Sequence, residues 1–314
     1  MKAKLGVYIP MYGGWIRGAP LEEEVTYNNA KKAALTADAV GIHSLWVPDH
    51  LLNPIKGQDA PALEAWTTLT AIAAVTRKVE LFHTTICQGF RFPSVLAKMC
   101  VTMQDLSEGR FRLSLGACWF FREFEAYGIS WEDHDSRIDR AREQIEIIKR
   151  FWTEPLVNYS GKYYSVKDGI LEPKSSYDIP LWWGGESDKS RELTADHFDG
   201  WLMNESTKIE VTEKISDMEE RLAKRGRGRI KYALPGLLLI ERTDEMAEER
   251  LRRLLPENKD LREIKKKTGY VGSAETVASK ILEKDETEID YIIFQCAPTV
   301  STLKTFGEEV LPLL

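Results

Sequence analysis

Short apolar runs alternate along the whole chain with amphipathic stretches of about ten to twenty residues, the pattern of repeated strand–helix units around a parallel sheet. Eight runs predict strands: Leu5–Ile9, Ser44–Val47, Val79–Thr85, Phe111–Leu115, Pro180–Trp183, Gly200–Met203, Ala233–Glu241 and Asp290–Gln295. Between and after them, helical periodicity covers Leu21–Val40, Ala62–Thr76, Pro93–Leu106, Ser136–Trp152, Lys189–Phe198, Lys208–Lys224, Thr243–Leu255, Ser273–Glu283 and Val300–Val310. Ser273, and Thr243 ahead of two carboxylates, have the chemistry of helix N-caps. Eight strands each followed by a helix predict an α/β fold, a (β/α)8 TIM barrel, formed by residues 1–314 as one domain. One stretch, 156–173, breaks the alternation; two short β runs around Ser160-Gly161 predict an inserted hairpin. A second, Pro256–Gly272, is irregular and basic, and its lysines fit either a solvated face or a phosphate or partner patch.

Composition narrows the function. With 43% apolar residues the chain of 314 can fill a large core, and no apolar run approaches the roughly 20 residues of a membrane span. The net charge of −6, with basic residues scattered over the helices, argues against nucleic acid and for small-molecule chemistry. The N-terminus lacks a signal-peptide pattern, and the four cysteines form no C-x-x-C pair. Zinc ribbons and disulfide scaffolds are therefore not expected, Cys118 is expected to be a small buried filler, and the cytoplasm is the expected compartment. No histidine cluster has metal-ligand spacing, so no metal is expected, and G-x-S-x-G is absent.

In such a barrel the chemistry sits where strands end. The strand ends carry Met11 to Trp15, Pro48-Asp49-His50, Thr84 to Arg91, Gly116 to Trp119, Gly184 to Ser187 and Asn204 to Ser206, a rim of aromatic and small residues suited to a flat ligand. Gly184-Gly185-Glu186-Ser187 fits a phosphate-binding turn at a helix N-terminus and equally a plain tight turn with Ser187 as N-cap.

Gly116-Ala117-Cys118-Trp119-Phe120, Glu123 to Gly128, Trp152-Thr153-Glu154, Gly161 to Tyr164, Gly184 to Ser187 with Asp199-Gly200-Trp201, and Gly272 to Ala278 together resemble the bacterial luciferase-like monooxygenase superfamily over nearly the whole chain. The resemblance implies a flavin, or in one branch a deazaflavin, bound at the carboxyl ends of the strands. It assigns Gly184, Gly185 and Ser187 to the cofactor phosphate, with Arg137 approaching the same group. Thr84 and Thr85 fall where relatives hold a non-proline cis peptide against the ring. Ser114 stands where many relatives have Asn, and Glu123 where they contact the cofactor. His50 matches an active-site histidine, whose imidazole suits moving a proton near neutral pH; His134 is expected to support Arg137 or a turn. Tyr12, Arg91 and Trp119 are the candidates for meeting substrate, Arg91 equally fitting an ordinary helix entry.

Together these residues imply an oxidoreductase, a monooxygenase using reduced FMN from a separate reductase and O2 on a small organic substrate, organosulfur compounds included. The alternatives are a coenzyme F420-dependent enzyme passing hydride to or from an alcohol, aldehyde or imine, and a non-catalytic flavin-binding homologue. Aromatics on the early helices, Trp66 among them, and the superfamily's habit of pairing predict a homodimer.

Overall fold

The computed structural model describes residues 1–314. Eight parallel strands form its centre: β1 (Lys4–Tyr8), β2 (Ser44–Val47), β3 (Glu80–His83), β4 (Phe111–Gly116), β5 (Leu181–Gly184), β6 (Gly200–Leu202), β7 (Lys231–Ile240) and β8 (Tyr291–Gln295). Each pairs with the next in chain order, and β8 pairs with β1 through Lys4↔Tyr291, so the sheet closes into a barrel. The predicted (β/α)8 architecture is the one found. Two short strands extend it at the rim, Ile86–Cys87 beside β4 and Tyr270–Gly272 beside β7.

Nearly every barrel-strand residue is buried, because helices cover the outside and side chains fill the inside. Near its amino end the barrel is filled by four rings from four strands. Trp46 stacks on Phe82 with centroids 3.9 Å apart, Trp182 stands edge-on to both, and Tyr291 lies 5.4 Å from Trp182 and 5.6 Å from Phe82. Glycines on neighbouring strands make this layer possible. A Cβ on Gly6 would come 2.7 Å from the Trp46 indole nitrogen, and one on Gly200 would overlap the Trp182 ring.

The helix Pro93–Leu106 and the helix Lys208–Lys224 have the predicted limits, and Thr243 and Ser273 cap their helices through side-chain oxygens. The first helix starts later than periodicity suggests, at Tyr27 behind the N-cap Thr26. Residues 156–173 contain the expected hairpin, Val157–Ser160 antiparallel to Ser165–Gly169. The helix Phe121–Ala126 was not expected, and the basic zone, placed as irregular with a solvated helix or loop face, holds the helix Lys259–Thr268. Trp66 is not an exposed aromatic: it stacks on buried His83, 5.0 Å between centroids, and meets the edge of Phe111.

At the end of the helix Asp188–His197, burial, with Lys149 and Arg142 nearby, lowers the His197 pKa from 6.5 to about 4. The unfolded chain takes up this proton near pH 6.5 and the folded chain only near 4. Its contribution is therefore complete above pH 6.5 and declines as pH falls towards 4. In urea unfolding followed from pH 7 to 4, His197→Gln should lose stability less steeply than the wild type; parallel curves would show that another group dominates.

Candidate functional site

A cavity of about 970 Å³ opens at the carboxyl ends of the strands, where barrel enzymes keep their chemistry. Its floor is set by Thr84 and Thr85, joined by a non-proline cis peptide at the place the sequence resemblance marks. Thr85 is seated between β4 and β5. A Cβ on Gly184 would lie 2.6 Å from Thr85 Cγ2, and one on Gly116 would overlap Thr85 Oγ1, so both positions need glycine to receive that side chain.

His50 lines the wall after β2. Its Nδ1 donates to Glu123 Oε2 at 2.8 Å, and Glu123 Oε1 accepts from the Leu51 and Leu52 amides at 2.6 and 3.0 Å. Glu123 is only 2% exposed. A buried carboxylate with three donors fixes the imidazole's orientation and leaves Nε2 without a protein partner. The sequence assigned Glu123 to the cofactor; here its carboxylate serves His50. Around the imidazole stand Trp119 and Phe120, centroids 5.6 and 6.2 Å away. Trp119 lines the cavity and is 55% exposed, with the Arg17 guanidinium 5.7 Å from its ring.

At the opposite side Gly184, Gly185, Glu186 and Ser187 line the cavity, and Ser187 opens the helix Asp188–His197 as its N-cap. The N-cap reading of this turn is the one observed, and a cap hydroxyl at a helix start facing the cavity is also placed to meet an anion. Gly185 has φ +154°, and a Cβ there would press within 2.7 Å of Ser190 Oγ. His134 Nε2 lies 2.9 Å from Ser187 Oγ, so His134 joins this turn and not Arg137. The donor set of Ser187, His134 and a glycine turn at a helix start fits one phosphate.

Arg137 lines the cavity but has other work. Its Nε donates to Ala117 O at 2.9 Å, Nη1 donates to Glu132 O, and the guanidinium lies 3.8 Å over Trp131. It holds the Ala117–Phe120 segment by its carbonyls, with Nη2 3.5 Å from Cys118 O. Three other assignments move away from the cavity wall. Ser114 is fully buried with an unpartnered hydroxyl and does not line the cavity, since its position in β4 turns it into packed structure. Tyr12 is buried behind His50, its hydroxyl donating to Pro48 O, and burial beside Asp49 and Glu123 raises its pKa well above the usual 10. Arg91 forks onto Asp49 at 2.6 and 3.1 Å and reaches Glu64 at 2.9 Å, so its guanidinium is spent inside the protein.

Cys118 is not a filler. It is joined to Cys87 by a disulfide with Cα atoms 5.3 Å apart, and both line the cavity. The filler expectation fails because strand pairing brings the two cysteines together, a juxtaposition that spacing in sequence does not reveal. Cys100 and Cys296 are free and fully buried. Asp49, placed at a strand end by the sequence but given no role there, binds Arg91 and the Cys87 amide at the cavity wall. The pairing of Glu205 with Lys265 was not foreseen: this ion pair at the rim ties the Lys259–Thr268 helix to the loop after β6.

A family model for luciferase-like monooxygenases matches residues 11–291, and the chain belongs to that family. Among curated relatives, Pyrimidine monooxygenase RutA of Allorhizobium ampelinum is 27% identical over 259 residues, 78% of this chain and 69% of the relative. The F420-dependent glucose-6-phosphate dehydrogenase of Amycolatopsis mediterranei is 33% identical over 151 residues, covering 48% of this chain and only 45% of its own length. Solved structures share the fold. An F420-dependent secondary alcohol dehydrogenase in complex with an F420-acetone adduct superposes with TM-score 0.81 at 22% identity over 100% of this chain and 99% of its own. EDTA monooxygenase from Chelativorans sp. BNC1 gives 0.81 at 16% identity, over 100% and 93%. The protein is an oxidoreductase of the luciferase-like family. No helix is long and apolar enough to cross a membrane.

Proposed function

We propose that this protein is an FMN-dependent monooxygenase acting on a small organic substrate, with reduced FMN delivered by a separate reductase. The observation that carries the choice of cofactor is the charge around the phosphate turn. His134 and Ser187 are flanked in sequence by Asp133, Asp135, Glu186 and Asp188. The cations that reach this end are engaged: Lys214 pairs with Glu186, Arg221 with Asp188 and Lys189 with Asp139 and Asp135. One phosphate can use the neutral donors and the helix start, whereas the polycarboxylate tail of a deazaflavin cofactor would meet carboxylates whose neighbouring Lys214, Lys189 and Arg221 are already paired.

Reduced FMN, when bound, supplies the two electrons that let one atom of O2 enter the substrate while the other leaves as water. The chain's own contribution is to orient and to handle the proton. Thr85, seated by Gly116 and Gly184, gives a fixed bed for a planar ring. Ser187 and His134 anchor the phosphate end. His50, held at Nδ1 by Glu123, holds or gives a proton at Nε2, while Trp15, Ile16 and Trp119 shield the cavity from water.

The same His50–Glu123 pair favours a second reading, F420-dependent hydride transfer, because oxidising an alcohol needs a base to take the hydroxyl proton. Calorimetric titration with each cofactor decides. FMN binding with negligible binding of F420 is the expected result, and the reverse would overturn the assignment. Ser187→Ala should weaken FMN binding about ten- to a hundredfold, the scale of a lost charge-assisted hydrogen bond. An unchanged Kd would place the phosphate elsewhere.

A further inference from the structure

We propose that Cys87–Cys118 is a reversible dithiol–disulfide site, opened by a low-molecular-weight thiol that enters the cofactor cavity, and that it controls the mobility of the cavity wall. The proposal is independent of which cofactor binds.

The bond is redundant for the fold. Cys87 pairs with Gly116 beside β4, and the Gln88 amide donates to Gly116 O at 3.1 Å, so the backbone ladder already brings the two cysteines' segments together. The loop it closes is short, with a sequence separation of 31, and spans no otherwise separate parts of the barrel. Both sulfur-bearing residues line a cavity of about 970 Å³, so a small thiol has a path to them. The link also falls at the segment where it has most effect. Ala117–Phe120 is neither helix nor strand, carries Trp119 and Phe120 against His50, and leads directly into the short helix that holds Glu123. Besides the disulfide, side-chain support for this segment comes from Arg137 on its carbonyls.

Cys118 is partly exposed and Cys87 only 5% exposed, so the attacking thiolate reaches the Cys118 sulfur first. That attack forms a mixed disulfide on Cys118 and releases Cys87 as thiolate. A second thiol then attacks the sulfur of the bound thiol, freeing Cys118 and leaving as the small-molecule disulfide. Two thiols are oxidised, the protein gains two electrons, and their two protons end on Cys87 and Cys118.

The test counts maleimide adducts by intact mass on the full-length native protein before and after incubation with reduced glutathione. Before, no adduct is expected, since Cys100 and Cys296 are fully buried and the other two are bonded. Afterwards the count should rise to two, mapping to Cys87 and Cys118, and return to none after treatment with oxidised glutathione. Adducts that form only in denaturant would show a closed structural bond, and free thiols at both positions under oxidised glutathione would show that no bond forms; either result overturns the proposal. Hydrogen exchange across residues 117–128 should quicken on reduction, and Cys118→Ser should exchange like the reduced wild type. Equal exchange in both redox forms would remove the control of the wall.

Discussion

His50→Ala should bind FMN with an unchanged Kd and yet form product about 10²–10⁴-fold more slowly on any substrate the wild type oxygenates, the usual scale of general acid–base catalysis. Hydrogen peroxide should replace the missing product, because electrons still pass to O2 while the proton at Nε2 is no longer directed. Glu123→Gln should fall between the two enzymes. It keeps an oxygen for the Leu51 and Leu52 amides but loses the anionic partner of Nδ1. If carboxylate and imidazole act as one unit, the double variant is no slower than His50→Ala alone. Stopped-flow oxidation with peroxide and product counted together measures all three. A wild-type product yield in His50→Ala would reduce this histidine to packing, and a further loss in the double variant would give Glu123 a role of its own.

The second large effect falls on stability. Arg91→Ala should lower the unfolding free energy in urea by about 3–5 kcal/mol, because it strips the bidentate partner from Asp49, whose side chain is wholly buried. The substrate's KM should stay where it was, since the guanidinium does not reach the cavity. Adding Asp49→Asn should restore part of the loss by removing the uncompensated charge. A variant of normal stability with a raised KM would return Arg91 to the substrate.

The two expectations for Arg91 show where the sequence stops being informative. Barrel strands such as Leu5–Ile9 and Ser44–Val47 are legible because a strand buried on both faces must be apolar throughout, and the helices between them because one stripe must be. The Phe121–Ala126 helix was not, being six residues long with an aromatic composition that carries no period. The Lys259–Thr268 helix does carry a signal in its sequence: Asn258 at its start, Asp260 in its first turn and lysines in its last. At the site, the residues just beyond each strand are legible, and His50, the Thr84–Thr85 bed, the Gly184–Ser187 turn and Trp119 do line the cavity. Which way a loop side chain turns could not be read. Tyr12 and Arg91 point into the protein, and Glu123 reaches His50 across 73 residues of sequence, a contact made by folding alone.

The ring layer of Trp46, Phe82, Trp182 and Tyr291 imposes a traffic rule on turnover. With the far end of the barrel filled by rings, the cavity is reached from the carboxyl ends of the strands, and any cofactor and substrate would enter and leave on that one side. A cofactor held deep in the cavity beside Thr85 would have to arrive before a substrate bound nearer the mouth. It would also leave after the product. Ordered binding is thus the expected behaviour of the plugged barrel, and a substrate analogue lodged at the mouth would act as a cork that slows release of a cofactor behind it.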